Sequence, residues 1–101
     1  SDVFNSMNFI RSHTNEPITV TDVADNIERS TSYVTNCFRK ELGISPGAYI
    51  SRCKLEEAKS LLMYTNMSLT EISNYLCYSS QSYFQNVFKK NYNFGKTPNF
   101  K

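Results

Sequence analysis

Two stretches of the chain repeat one another, and this repetition limits the possible folds more than any other feature. Residues 20–23 (VTDV) match residues 69–72 (LTEI) at a separation of 49 positions. Residues 32–40 (SYVTNCFRK) match residues 82–90 (SYFQNVFKK) at a separation of 50, so the second copy has one extra residue in its turn. Such self-similarity indicates one supersecondary unit that occurs twice.

Each copy has the apolar spacing of a short helix followed by a longer one. In the first copy, Thr21 is the expected N-cap of a short helix with Val23 and Ile27 inward, and the longer helix ends at Gly43. In the second copy, the short helix begins at Ser68 or Leu69, a turn follows at 77–79, and the longer helix runs from about Ser80 to Tyr92.

Two further helices are predicted outside the copies. Val3, Met7 and Ile10 predict a first helix from Asp2, its expected N-cap, to His13, and Pro46 suits the first turn of a long helix to about Tyr64. The predicted fold is all-α, with six to seven helices and no strand, in one domain over 1–101. It comprises two helix-turn-helix units at about 20–43 and 69–92, a linking helix at about 46–64 and a C-terminal tail at 93–101.

The longer helix of a helix-turn-helix enters the major groove of DNA with its exposed polar side. Base edges require side chains that donate and accept hydrogen bonds, and basic side chains one turn further along suit phosphate contacts. The candidate base-reading residues are Ser32, Thr35 and Asn36 in the first copy and Gln81, Ser82, Gln85 and Asn86 in the second. The candidate DNA-backbone contacts are Thr21, Arg39, Lys40, Thr70, Ser80, Lys89, Lys90 and Lys96.

The alternative for these polar residues is an ordinary solvated helix face, and the repetition of the same layout favours the DNA-binding interpretation. The matched aromatic residues are expected in the core rather than as platforms for base stacking. They are Tyr33, Phe38, Tyr83, Phe84 and Phe88.

Charge is distributed unevenly, although the formal net charge is only +2. From Ser79 to Lys101 there is no acidic residue, while four lysines lie in this part of the chain. A basic end of this kind fits a nucleic-acid partner, and its alternative is again a solvated face.

Other function classes find little support in the sequence. His13 is the only histidine, and no phosphate-binding glycine loop or nucleophile with its base is present, so no enzyme, metal or cofactor is expected. The three cysteines lack metal-site spacing and are expected to be small buried or half-buried hydrophobes. The alternative is a redox-responsive thiol, for which Cys53 is the candidate. No stretch has the length of a transmembrane helix, so a cytoplasmic protein is expected.

The chain resembles the DNA-binding domain of the AraC/XylS family of bacterial transcription regulators. The resemblance covers nearly the whole chain and is most specific in the second copy and tail. It lies in Ile72-Ser73, Cys77-Tyr78, Tyr83-Phe84, Phe88-Lys89-Lys90 and Gly95-Lys96-Thr97-Pro98, and in Gly43-Ile44-Ser45-Pro46, Tyr49 and residues 54–62.

The resemblance implies a cytoplasmic regulator that binds asymmetric promoter sites on double-stranded DNA at the bacterial nucleoid and contacts RNA polymerase. It places the base-reading positions on the residues named above. It also implies a monomeric domain in a longer protein, whose second domain dimerises, binds an effector or receives a phosphoryl group.

The chain departs from the family pattern at several positions. Cys77 replaces the usual glycine, and because a left-handed backbone is strained for other residues, we expect the turn to differ locally. Lys54 replaces the usual arginine, Ser73 replaces the usual alanine, and two extra residues separate Lys90 from Gly95. The first reading helix is poor in arginine, so we expect the second unit to carry more of the selectivity, or the first to bind mainly through contacts to the DNA backbone.

Linking-helix length agrees with simultaneous binding by both units. At ~1.5 Å per residue the helix spans roughly 27 Å, near the ~34 Å between successive major-groove segments. The competing hypothesis is a helical protein-interaction module that does not bind DNA, and salt discriminates between them, because phosphate contacts release counterions.

Overall fold

The structure is a computed structural model that describes residues 1–92. In this range the chain forms six helices and no strand, which confirms the predicted all-α fold. The helices are α1 (Asp2–Arg11), α2 (Val20–Asn26), α3 (Thr31–Leu42), α4 (Pro46–Tyr64), α5 (Leu69–Tyr75) and α6 (Gln81–Tyr92). None of these helices is long and apolar enough to cross a membrane. The tail at 93–101, with Lys96 and the Gly95-Lys96-Thr97-Pro98 motif, lies outside the described residues.

The chain divides into two compact units, Ser1–Lys54 and Leu55–Lys101. In the first unit, α1, α2, α3 and the beginning of α4 enclose one hydrophobic core. Its buried residues are Val3, Ile10, Val23, Ala24, Val34, Phe38, Tyr49, Ile50 and Cys53. Cys53 is only 5% exposed and Cys37 is half-buried, as expected of small hydrophobes. Cys77 is exposed, so the same expectation is wrong for this residue.

The second unit encloses a core of its own between the end of α4, α5 and α6. Its buried residues are Leu55, Ala58, Leu69, Ile72, Leu76, Phe84 and Phe88. The aromatic rings of Phe84 and Phe88 pack with their centroids 5.6 Å apart. The prediction that both phenylalanines belong to the core is confirmed, as it is for Phe38 in the first unit.

Both short helices begin with a capping box. The Thr19 hydroxyl accepts from the Asp22 N–H and the Asp22 carboxylate accepts from the Thr19 N–H, while Ser68 and Glu71 make the same pair in the second unit. The hydrogen bond from the Ser68 N–H lowers the pKa of the Glu71 carboxyl below its ordinary value. The prediction of Thr21 as N-cap is wrong, because the acid that completes the box lies three residues after Thr19.

The N-cap of the first helix lies one residue earlier than predicted. Ser1, not Asp2, is the N-cap, and its hydroxyl accepts from the Phe4 N–H at 3.2 Å. The Asp2 carboxylate instead accepts a hydrogen bond from the Tyr33 hydroxyl at 2.7 Å. The helix ends at Arg11 and not at His13, since Ser12 is its C-cap.

Gly43 ends α3 as its sequence position predicts. It has a φ of 75°, and its N–H donates to the carbonyls of Phe38 and Arg39 at 3.1 and 3.0 Å. This left-handed cap is the conformation that glycine adopts at least cost.

Lys54 fastens the loop between α1 and α2 to α4. Its ammonium donates to the carbonyl oxygens of Thr14 at 2.6 Å and Glu16 at 2.9 Å, and the residue is only 9% exposed. A buried cation requires such partners. Lys54, which is 38 positions after Glu16 in the chain, therefore holds the loop that precedes the first helix-turn-helix.

Candidate nucleic-acid interface

The longer helix of the first unit has one buried and one polar side. Val34 and Phe38 face the core, while Ser32 and Asn36 are exposed and Thr35 is half-buried between the two sides. Ser30 is the N-cap of this helix, and its hydroxyl accepts from the Tyr33 N–H at 3.1 Å. The side of α3 that is turned to solvent is thus polar and can both donate and accept hydrogen bonds.

The longer helix of the second unit repeats this arrangement. Phe84 and Phe88 are buried, and Ser80 accepts from the Tyr83 N–H at 3.1 Å, as Ser30 does from Tyr33. The candidate base-reading residues divide by exposure as in α3. Gln81, Ser82 and Asn86 are exposed and Gln85 is half-buried.

Two basic residues lie in the last turn of each of these helices. Arg39 and Lys40 on α3 and Lys89 and Lys90 on α6 are all exposed. Cations at a helix C-terminus also interact favourably with the helix dipole, so this placement serves the helix itself as well as any anionic ligand. In both units the polar side of the longer helix therefore carries two positive charges at its C-terminal end.

The turns of the two units have matching left-handed residues and matching backbone hydrogen bonds up to Arg29 and Tyr78. Glu28 and Cys77, 49 positions apart, have left-handed φ values of 56° and 64°. The next N–H in each unit donates back into the short helix, from Arg29 to the Ala24 carbonyl at 3.0 Å and from Tyr78 to the Ser73 carbonyl at 2.9 Å. The extra residue of the second unit is therefore Ser79, and the expected local change at Cys77 is absent.

Tyr33 and Tyr83 occupy equivalent positions but have different surroundings. Tyr33 is half-buried, its hydroxyl donates to Asp2, and the Arg29 guanidinium lies 4.8 Å from its ring centroid. The hydrogen bond to Asp2 raises the pKa of Tyr33 to about 12. Neither tyrosine lies fully in the core as predicted.

Tyr83 is 55% exposed on α6 and was missed as a candidate surface residue. It lies three positions before Asn86, and residues at this spacing share a side of a helix. Helical geometry alone could therefore have placed it beside the polar residues. Its aromatic character favoured the core assignment instead.

The short helices contribute hydroxyl groups at their beginnings. Thr21 is exposed in the first turn of α2, and Thr70 is exposed in the first turn of α5. The Thr70 hydroxyl donates a hydrogen bond to the side-chain oxygen Oε1 of Gln81, the first residue of α6. In the first unit the residue equivalent to Gln81 is Thr31, which has no carboxamide.

The chain is similar to known proteins over most of its length. A family model described as a helix-turn-helix domain matches residues 23–99. The xylose operon regulatory protein of Escherichia coli (strain K12) is 41% identical over 90 residues, which are 89% of this chain and 23% of that protein. The chain thus spans less than a quarter of the length of that regulator.

Solved structures match most of the chain as well. A xylose-binding transcription activator matches with a TM-score of 0.84 and 41% identity, over 90% of this chain and 24% of the other. The C-terminal domain of AraT, a response regulator from Geobacillus stearothermophilus, matches with a TM-score of 0.84 and 29% identity, over 91% of this chain and 77% of the other.

Proposed function

Because the chain belongs to the AraC-type helix-turn-helix family of bacterial transcription regulators, we propose that it binds promoter DNA with α3 and α6 as its recognition helices. One observation carries this proposal. Each of these helices combines a buried apolar side with an exposed polar side that ends in two basic residues. The proposed function is binding rather than catalysis, and the match to a helix-turn-helix family and to a regulatory protein supports it.

The exposed polar side chains suit base edges in the major groove. Asn36 and Asn86 occupy equivalent positions and carry both donors and an acceptor, so they can pair with adenine through two hydrogen bonds. The proposed base-reading residues are Ser32, Thr35, Asn36, Gln81, Ser82, Gln85 and Asn86. Because Ser32 and Thr35 have only hydroxyl groups, α3 is proposed to contribute less selectivity than α6.

The basic residues at the ends of α3 and α6 are proposed to bind phosphates. Such contacts fix the orientation of a protein on the duplex and carry no sequence information. The proposed set consists of Arg39, Lys40, Lys89 and Lys90, with Thr21, Ser80 and Lys96. The Ser80 oxygen already accepts from Tyr83, which leaves its proton to donate to a phosphate.

We propose that both recognition helices bind the same duplex, in neighbouring major-groove segments on one side. The 19-residue length of α4 supports this, since ~1.5 Å per residue gives about 28 Å against the ~34 Å of one helical turn of DNA. In a footprinting experiment we therefore expect protection over about two helical turns of DNA, with two protected major-groove segments.

Membership of the family supports a proposal about the rest of the protein and about its partner RNA polymerase. We propose that the chain is the monomeric DNA-binding part of a longer protein, which acts on cytoplasmic DNA at the nucleoid and contacts RNA polymerase. The small share of the xylose regulator that it covers supports a longer protein with a further domain.

Selection of bound duplexes from a randomised pool, followed by variants on the selected site, tests the function. We expect Asn86→Ala to cost about 1 to 3 kcal/mol of binding free energy on that site and to relax the preference at one base pair. Lys89→Ala should weaken binding to every sequence alike, because it removes a phosphate contact. The measurement is the ratio of dissociation constants for selected and scrambled duplexes.

Both variants keep the buried residues of α6 unchanged, so thermal melting serves as the control for folding. A uniform effect of both substitutions would contradict the assignment of reading and anchoring roles. If no duplex is enriched and a protein partner binds independently of salt, the interaction-module alternative is correct.

A further inference from the structure

The hydrogen bond between Thr70 and Gln81 joins the beginnings of the two helices of the second helix-turn-helix. Thr70 is the second residue of α5 and Gln81 is the first residue of α6, and both are exposed. The threonine hydroxyl donates to Oε1 of the glutamine carboxamide. The bond therefore forms on the polar surface at the same end of α6 as the proposed base-reading residues.

This bond changes what Gln81 offers to a ligand. A glutamine carboxamide has an oxygen that accepts and an amino group that donates two hydrogen bonds. Oε1 has two lone pairs, and one of them accepts from Thr70. This bond holds the oxygen beside α5, so the amino group is the part of Gln81 that is better placed for DNA. Gln81 is therefore oriented to donate rather than to offer a donor and an acceptor side by side.

The distinction matters because bases differ in their major-groove edges. Glutamine with both groups available pairs with adenine, since adenine presents the N6 donor beside the N7 acceptor. Guanine presents two acceptors, N7 and O6, whereas cytosine presents a donor. A side chain that only donates therefore fits guanine best and opposes cytosine.

We propose that Thr70 is a positioning residue that fixes the Gln81 carboxamide as a donor and so makes Gln81 select guanine rather than adenine. This inference rests on the proposed function of α6 as a recognition helix. It also reassigns the Thr70 hydroxyl, because its single proton is given to Gln81 and is not available to a phosphate.

The first unit provides an internal control. Thr21 is the counterpart of Thr70 and is likewise exposed in the first turn of its helix, but the counterpart of Gln81 is Thr31, which has no carboxamide to orient. The proposed selection mechanism belongs to the second unit only. Removal of the Thr21 hydroxyl should then leave every base preference in place.

Selection from one randomised duplex pool, repeated for several variants of the 101-residue chain, tests the proposal. The position that Gln81 contacts is the one at which Gln81→Ala loses its preference. At that position we expect wild type and Thr70→Ser, which keeps the hydroxyl, to select guanine. Thr70→Val, which has nearly the same shape without the hydroxyl, should shift the preference towards adenine by about tenfold.

Melting temperatures separate this role from a structural one. Because Thr70 and Gln81 are exposed, the bond contributes little to stability, and Thr70→Val should melt like wild type. Thr21→Val should retain the melting temperature and the selected sequence. It should weaken binding to all duplexes alike, because Thr21 is a proposed phosphate contact.

Two outcomes would overturn the inference while leaving DNA binding intact. Thr70→Val could keep the guanine preference of wild type, or Thr70→Ser could lose that preference together with Thr70→Val. Failure of the wild-type chain to enrich any sequence is a different result, since it would reject the proposed function itself.

Discussion

At the scale of single residues, the two turns carry backbone strain that the sequence does not relieve with glycine. Glu28 and Cys77 both have left-handed φ values, and the Cβ atom makes this conformation unfavourable because it crowds the backbone carbonyl oxygen. The family resemblance identified Cys77 as a replacement for glycine. The turn keeps its shape nevertheless, because the back-bonded N–H groups of Arg29 and Tyr78 fix it from the following position.

Relief of this strain is a testable consequence. We expect Cys77→Gly to raise the free energy of unfolding by about 1 kcal/mol, and Glu28→Gly to do so by a similar amount. Urea unfolding of the chain measures both. Asn74→Gly is the matched control, since Asn74 lies inside α5, where glycine should cost about 0.5 to 1 kcal/mol. Destabilisation by all three changes would contradict the assignment of strain.

At the scale of helices, the sequence predicts the elements better than their ends. The helical spacing of apolar residues locates all six helices, and Gly43 and Pro46 mark two of their ends as expected. The N-caps of α1 and α2 were misplaced, because Ser1, Asp2, Thr19 and Thr21 are all suitable residue types. Only the pairing of Thr19 with Asp22 decides between the threonines.

Contacts between distant residues were beyond prediction from local pattern. The aromatic residues at 33 and 83 match in sequence, yet Tyr33 is covered by Asp2 and Arg29 while Tyr83 is exposed. The hydrogen bond from Thr70 to Gln81 likewise depends on how α5 and α6 pack. The helical repeat predicts which polar residues lie on the exposed side of a helix. It does not predict which of them hydrogen-bond to each other, because that depends on tertiary structure.

The connection of Lys54 to the loop between α1 and α2 yields a prediction at this scale. Lys54→Met keeps the aliphatic part of the side chain but leaves the carbonyls of Thr14 and Glu16 without the ammonium. We expect a loss of about 1.5 to 3 kcal/mol in the free energy of unfolding. Amide exchange around residues 14–16 should rise with it, and Lys59→Met, on a half-buried lysine of the same helix, should have the smaller effect. Equal losses for both lysines would show that the loop contacts contribute nothing specific.

At the scale of the whole molecule, the repeated basic pairs test whether both units bind DNA together. Each phosphate that a cation neutralises adds about 0.9 to the slope of log affinity against log salt. If both recognition helices are bound at once, the double variant Arg39→Ala/Lys40→Ala should lower the slope by about two. The double variant Lys89→Ala/Lys90→Ala should lower it equally.

Fluorescence anisotropy on the selected duplex at several salt concentrations measures these slopes. Glu41→Gln is the control, because it changes the charge next to the first basic pair but removes no phosphate contact. A reduced slope for the Lys89/Lys90 variant alone would indicate that only the second unit reaches the duplex.

The three thiols differ in accessibility in a way that is useful for spectroscopy. Cys53 lies in the core and Cys37 is half-buried, whereas Cys77 is exposed in the turn that leads into α6. A maleimide dye should therefore attach first at Cys77, without any engineered cysteine. A fluorophore at this turn would sit next to the proposed recognition helix and report the arrival of DNA in real time.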